Sequence, residues 1–232
     1  MIGLLQCDHV AESFRSIDGD YDEMFRRWLP AEWKIYDVTL GEGPSNPQEC
    51  DAYVTTGSRA SVYDDEPWIH HFAGIVRTLF AARRPLVGVC FGHQMIAHAM
   101  GGRVERCARG WGIGVHEFAV CREESWMQPR TTAFRVLMSC QDQVEELPDG
   151  AVVLARNAHC PVGLFRLGTL LGLQGHPEFS ATYAEALIRH RASKIGPDRV
   201  AAGLGSLTQP VRSDLLREWV EHFVTQSSSS NQ

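Results

Sequence analysis

The residue with the clearest chemical potential is a cysteine framed by glycines. Residues 85–102 read PLVGVCFGHQMIAHAMGG, with Gly88 and Gly92 two positions to either side of Cys90. Strand-forming residues precede the cysteine and a helical pattern follows it. On so sharp a turn the backbone is strained and the flanking residues lie close together, so glycine suits both flanks. The pattern predicts a nucleophilic Cys90, whose thiolate the first amides of the helix would favour.

The alternative for Cys90 is a buried cysteine that only fills space.

A nucleophile also needs a base, and the base needs an orienting group. Among the ten histidines, His176 stands out because it ends an apolar run and lies two residues from Glu178 in GHPEF. Residues two apart in an extended segment face the same side, so the carboxylate can engage one ring nitrogen and leave the other for the thiol. A strand-end histidine paired with a surface glutamate remains the alternative. His93 follows the cysteine closely but is expected to point away from it.

The pattern of apolar residues indicates the elements that must position these side chains. In the first half, strands alternate with amphipathic helices, which predicts parallel pairing with helices on both faces. From Gly102 onward, successive β segments predict added hairpins, and glycine-containing AAGLGSL (201–207) is interpreted as a turn. We expect an α/β fold with an open, mostly parallel central sheet. One domain is predicted over residues 1–225, with a polar, disordered tail over 226–232.

Composition narrows the classes of function. The chain has 232 residues, a formal net charge of −6 and no Lys/Arg-rich run, which argues against nucleic acid as a partner. Seven cysteines without a C-x-x-C pair argue against a disulfide framework or structural zinc, and favour the cytoplasm. No apolar stretch has the length of a membrane span, and no phosphate-binding G-x-x-x-x-G-K-[ST] loop occurs. Neither a metal nor a cofactor is expected.

Taken together, GVCFGHQ (88–94) and GHPEF (175–179) resemble the class I, triad-type glutamine amidotransferases. The separation of the two motifs is typical of that family, and the resemblance covers about residues 1–190. It extends to stand-alone γ-glutamyl peptidase-like members and to the glutaminase domains of GMP synthases. The resemblance implies flavodoxin-like layering, with Cys90 as nucleophile, His176 as general base and acid, and Glu178 as orienting acid.

The same resemblance implies further site residues. Gly57, in TTGS after the third predicted strand, matches the family glycine whose amide, with that of Phe91, forms an oxyanion hole. Gln94 matches a glutamine that contacts the amino-acid end of the substrate. MSCQDQVEELP (138–148) resembles a family segment, often Ser-His-x-Asp-x-Val, that holds the substrate's α-amino and α-carboxylate groups. Here Cys140 replaces the usual histidine, so the candidate substrate-binding residues are Ser139, Cys140 and Gln141. An ordinary hairpin is the alternative for this segment.

The implied reaction is hydrolysis of the γ-amide of glutamine, through a γ-glutamyl thioester on Cys90, to ammonia and glutamate. Any ammonia acceptor would be a separate synthase subunit. A γ-glutamyl peptidase with the same triad is one alternative, and a non-catalytic regulatory or binding protein on the same fold is another. A PfpI-like protein is disfavoured, because that group has histidine directly after the cysteine, where this chain has Phe91. Residues 58–66 are predicted either to form the rim of a pocket or to be a plain solvated loop.

Overall fold

A computed structural model describes residues 1–229, with side chains described through residue 227. Within that part of the chain the strands are β1 (Ile2–Gln6), β2 (Trp33–Asp37), β3 (Ala52–Thr55), β4 (Leu86–Val89), β5 (Arg103–Arg106), β6 (Gly112–Val120), β7 (Ala133–Cys140), β8 (Asp142–Glu146), β9 (Val152–Arg156), β10 (Leu164–Leu167) and β11 (Leu170–Leu173). The α-helices are α1 (Arg15–Asp18), α2 (Tyr21–Trp28), α3 (Pro67–Ala81), α4 (Phe91–Ala99), α5 (Ala181–His190), α6 (Ala192–Ile195), α7 (Pro197–Ser206) and α8 (Ser213–Ser229).

One large sheet dominates the described residues, in the order β2-β1-β3-β4-β11-β10-β9-β6-β7. The pairs from β2 to β11 are parallel. The pairs from β11 to β7 are antiparallel. Strands β5 and β8 form a separate antiparallel pair. The predicted α/β class is therefore confirmed, with the hairpins added at one edge of the parallel part.

Apolar cores lie on both faces of the sheet. Leu4 packs in one core and the next residue, Leu5, in the other, as the two-residue repeat of a strand requires. Helices α2 and α8 contribute side chains to the first core, and α3 and α4 to the second. Because both faces are covered, β3, β4 and β11 are buried at every position. This burial explains why their sequences are nearly continuous hydrophobic runs.

The parallel pairing brings the carboxyl ends of five strands, β1, β2, β3, β4 and β11, to one edge of the sheet. Active sites of open parallel sheets lie at such an edge. The segments that leave β1, β3, β4 and β11 at this edge begin with Cys7, Thr56, Cys90 and Gln174 respectively. Residues distant in sequence, including the glycine-framed cysteine and GHPEF, are therefore neighbours by topology alone.

Two details depart from the sequence-based expectations. Residues 201–206 belong to helix α7, so the predicted turn was wrong. A Cβ on Gly203 would lie 2.6 Å from Cδ1 of Ile113, so this glycine allows the helix to pack closely against β6. At the carboxyl terminus α8 continues through Ser229, and residues 230–232 of the predicted tail lie outside the described residues. Among the helices described, none combines the length and the apolar character needed to cross a membrane.

Candidate active site

Cys90 occupies the turn between β4 and α4, with φ 51° and ψ −97°. A positive φ is unfavourable for a residue with a Cβ, so the predicted strained backbone is confirmed. The amide of Cys90 donates to the carbonyl of Leu173 at 2.9 Å, which ties the turn to β11. A Cβ on Gly88 would lie 2.5 Å from the backbone of Gly92, and a Cβ on Gly92 would overlap Oγ1 of Thr55. Steric crowding therefore requires both glycines of the frame.

His176 and Glu178 form a buried pair just beyond the end of β11. Nδ1 of the imidazole lies 2.7 Å from Oε1 of Glu178, and both side chains are nearly inaccessible to solvent. The amide of His176 donates to the carbonyl of Leu137 at 2.8 Å. The ring of Phe179 stacks on the imidazole with the centroids 4.0 Å apart. The ring is thus held by Glu178 and Phe179 and its backbone by Leu137, and the other ring nitrogen, Nε2, is left for a second partner.

Cys90 is close enough to His176 to change its protonation. Burial lowers the pKa of His176, but charge interactions with Cys90 and Glu178, and hydrogen bonds to both, outweigh burial and raise the pKa to about 10. The imidazolium is therefore the stable form at neutral pH. An imidazolium between a sulfur and a carboxylate is the arrangement that a cysteine nucleophile requires.

Gly57 lies next to both Cys90 and His176. A Cβ built on Gly57 would lie 2.9 Å from Cε1 of His176 and 3.7 Å from Cβ of Cys90. Thr56 fixes this segment, since its Oγ1 accepts from the amide of Cys7 and donates to the carbonyl of Gly57. Within residues 1–229 the amides of Gly57 and Phe91 donate to no other protein group. Phe91 is the first residue of α4, where amides have no partner within the helix.

Gln94 lies on α4, one turn beyond Cys90, and is 3% exposed. Its Nε2 donates to the carbonyl of Asp142 at 2.7 Å and to Oε1 of Gln174 at 3.1 Å. Because the protein engages both amide protons, Oε1 is the atom that Gln94 can offer to a ligand. Gln94 is therefore placed to accept a hydrogen bond rather than to donate one.

Ser139, Cys140 and Gln141 lie at the end of β7 and line the same cavity as Cys90 and Gln94. Oγ of Ser139 accepts from Nη1 of Arg191 at 2.8 Å. Cys140 is 5% exposed, and burial, followed by the charge of Cys90, raises the pKa of its thiol well above the ordinary value. The structure thus brings these three residues to the site, with Cys140 as a neutral thiol.

The cavity has a volume of about 640 Å³. That size falls among pockets of roughly 300–1,000 Å³ that hold drug-sized ligands. Residues 58–61 line it, so this part of the 58–66 segment forms its rim. The remaining lining residues are His9, Ala11, Phe14, Tyr21, Arg106, Trp111, Asp142, Tyr183, Leu187, His190, Arg191 and Lys194. Of these residues only Asp142 belongs to a motif that the sequence analysis assigned to the site, the 138–148 segment.

His93 points away from the cavity, as expected. Its ring packs edge-on against Phe165 with the centroids 4.9 Å apart, and burial lowers the pKa of its imidazole to about 4. Over residues 1–229, no three His, Cys, Asp or Glu side chains are arranged to hold a metal ion.

This geometry agrees with a known family. The sequence profile of that family, described as glutamine amidotransferase class-I, matches residues 14–194. The chain belongs to the class I glutamine amidotransferase family, and the predicted family resemblance is confirmed.

Named relatives include both peptidases and synthases. The chain is 30% identical to γ-glutamyl peptidase 4 of Arabidopsis thaliana over 196 residues, covering 80% of this chain and 74% of that protein. It is 34% identical to a glutamine-hydrolysing GMP synthase of Pyrobaculum aerophilum over 140 residues, covering 60% of this chain but only 26% of the synthase. A solved glutamine amidotransferase structure from Thermotoga maritima matches with a TM-score of 0.76 and 21% identity, covering 96% of this chain and 98% of that one. At that identity the structural likeness concerns the fold.

Proposed function

We propose that this chain hydrolyses the γ-amide bond of glutamine, or of another γ-glutamyl compound, through a thioester on Cys90. The observation that carries the proposal is the convergence of Cys90, His176 and Glu178 beside the free amides of Gly57 and Phe91. Membership of the class I glutamine amidotransferase family supports it.

In the first step Sγ of Cys90 attacks the γ-carbonyl carbon. Charge develops on the carbonyl oxygen, and the amides of Gly57 and Phe91 stabilise it. The C–N bond then breaks, and the imidazolium of His176 gives its proton to the departing ammonia or amine. In the second step His176 takes a proton from water, the hydroxide attacks the thioester carbon, and the C–S bond breaks to release glutamate. Glu178 keeps the imidazole oriented throughout.

Recognition of the glutamyl group is assigned to Gln94 and to the 139–141 segment. Since only Oε1 of Gln94 is available, it accepts from the substrate's α-ammonium group. The α-carboxylate is then left to backbone and side-chain donors of residues 139–141. The neutral Cys140 contributes shape rather than charge there.

The experiment that tests the proposal uses the purified chain with glutamine and, separately, γ-glutamyl dipeptides. Acid-quenched samples are analysed by mass spectrometry for a γ-glutamyl adduct on Cys90, while released ammonia or amine is quantified. Cys90→Ala should abolish both signals. Cys121→Ala, which removes an exposed thiol, should abolish neither. Absence of an adduct with every γ-glutamyl compound would favour a non-catalytic protein on this fold.

A γ-glutamyl peptidase is the second candidate, and the size of the cavity favours it. A cavity of about 640 Å³ accommodates more than the side chain and α-carbon groups of glutamine. Release of amine from the dipeptides faster than ammonia from glutamine would decide for the peptidase. A separate synthase subunit that accepts ammonia remains part of the first candidate, and ammonia released by the chain alone would show that no acceptor is required.

A further inference from the structure

The charges around the cavity are unlike those of the chain as a whole. The chain carries a formal net charge of −6, yet Arg106, Arg191 and Lys194 all line the cavity. Within residues 1–229 none of these three pairs with a carboxylate. The fourth lining cation, Arg59, is neutralised by Asp8 at 2.7 Å. Asp142 is the one carboxylate among the lining residues described. One carboxylate cannot balance three unpaired cations, so this wall of the cavity keeps a net positive charge.

Arg191 is fixed in this wall rather than free in solvent. Its Nη1 donates to Oγ of Ser139 at 2.8 Å, and its guanidinium lies 5.6 Å from the centroid of the Trp111 ring. These contacts hold the guanidinium in place and leave its other donors without a partner in residues 1–229. A guanidinium with free donors binds a carboxylate through two parallel hydrogen bonds.

The preference of cations for the carboxyl ends of helices does not by itself account for the basic wall. Cations are common at the carboxyl end of a helix, because they interact with its dipole. Arg189 and His190 in α5, and Lys194 in α6, occupy the last turn of their helices in that way. Arg191, however, reaches across to β7, and Arg106 comes from β5, on a different part of the chain. Cations from separate elements meet at one cavity, which points to a ligand.

We propose that Arg106, Arg191 and Lys194 form a subsite for a carboxylate on the leaving-group side of a γ-glutamyl substrate. This inference rests on the proposed function and narrows its substrate class to γ-glutamyl peptides whose departing amine carries an acidic group. The glutamyl part has one α-carboxylate, which Ser139, Cys140 and Gln141 are placed to hold. A second carboxylate is the group that three unpaired cations fit.

The test compares γ-glutamylglycine with γ-glutamylglycinamide, which differ only in that carboxylate. We expect the acid to be hydrolysed with a kcat/KM ~10-fold above that of the amide, since only the acid offers a carboxylate for a charge-assisted hydrogen bond. Lys194→Gln and Arg106→Gln should each reduce this preference ~3-fold or more while leaving kcat/KM for the amide within ~2-fold, as for partly screened charges. The preference should also shrink in about 1 M salt, where the Debye length is roughly 3 Å.

Arg189→Gln is the matched control, because Arg189 is a neighbouring arginine that pairs with Glu185 and does not line the cavity. It should leave the preference unchanged. Calorimetric titration of the Cys90→Ala variant with both dipeptides measures the same preference as binding, so a slow turnover does not hide it.

Three results would overturn the subsite. One is an equal kcat/KM for acid and amide. Another is an equal loss for glutamine and γ-glutamylglycine in the variants, which would assign the cations to the α-carboxylate of the glutamyl group. The third is hydrolysis of glutamine but of neither dipeptide. Failure of the proposed function differs from all three, because then no adduct forms on Cys90 with any substrate.

Discussion

Asp8 accepts three hydrogen bonds from Arg59, donated by the backbone amide, Nε and Nη2 at 2.9, 2.8 and 2.7 Å. Asp8 follows β1 and Arg59 stands two residues beyond Gly57, so the pair fastens the segment that carries Gly57 to the neighbouring strand. Side-chain hydrogen bonds between charged groups in this two-pronged geometry are among the stronger ones. We therefore expect Asp8 to position the amide of Gly57.

Asp8→Asn should lower kcat ~10-fold with little change in KM, because small displacements of a catalytic group cost rate while the groups that bind the glutamyl end stay in place. Steady-state kinetics with glutamine or a γ-glutamyl dipeptide measure the split. Asp51→Asn is the control, since Asp51 is exposed and precedes the opposite end of β3. If Asp8→Asn lowers the melting temperature together with kcat, Asp8 has only a structural role.

Gly57→Ala should reduce kcat/KM ~100-fold, as an ångström-scale misplacement can, without unfolding the chain. Its methyl group would lie 2.9 Å from Cε1 of His176, so the imidazole has to move. Gly74→Ala makes the contrast, because that glycine lies inside α3 and an added methyl group there would meet no atom within 4 Å. It should stabilise the fold by about 0.5–1 kcal/mol and leave activity alone. Thermal melts and kinetics on both variants separate the two effects.

His176 should titrate far above an ordinary histidine. Its pKa is raised from 6.5 to about 10, so the folded state holds the proton that the unfolded chain loses near pH 6.5. Its contribution to the free energy of unfolding is therefore complete below pH 6.5 and is lost as the pH rises to about 10. Urea denaturation as a function of pH measures that loss.

Substitutions of Cys90 and Glu178 test which interactions raise the pKa of His176. Charge interactions and hydrogen bonds with Cys90 and Glu178 raise it against the opposing effect of burial. Cys90→Ser and Glu178→Gln should each shift the NMR titration of the Cε1 proton to lower pH. An unchanged midpoint in Cys90→Ser would contradict the contact between sulfur and imidazole.

Thiol reactivity should follow access to solvent or the cavity together with the pKa of the thiol, since Cys90 and Cys140 are equally buried. Cys121 is exposed and Cys90 lines the cavity, so iodoacetamide at mildly alkaline pH should modify these two in the native protein. Cys7, Cys140 and Cys160 should stay unmodified, because burial raises the pKa of each thiol. Peptide mapping by mass spectrometry reads all five sites, and a substrate present in excess should protect Cys90 but not Cys121. Protection of both thiols, or of neither, would contradict the placement of Cys90 in the substrate-binding cavity.

The sequence predicted features that local sterics and spacing impose. Gly88 and Gly92 are visible in sequence because no side chain fits beside the turn at Cys90. The two-residue spacing of His176 and Glu178 predicts their shared side, and the observed contact of 2.7 Å agrees with it. Apolar runs predicted the buried parallel strands, since burial on both faces leaves no polar positions. The helix containing Gly203 was missed because glycine is a poor helix former unless close packing requires it.

The sequence by itself thus identified the candidate nucleophile, its candidate base and the layered fold, because each leaves a pattern within a few neighbouring residues. Only the tertiary structure brought Asp8 to Arg59, and set Arg106, Arg191 and Lys194 around one cavity. Those residues lie on separate elements. In the sequence, a charged residue that faces solvent cannot be distinguished from one that faces a ligand. Whether these side chains act together depends on the distances between them, and the packing of the sheet and helices sets those distances.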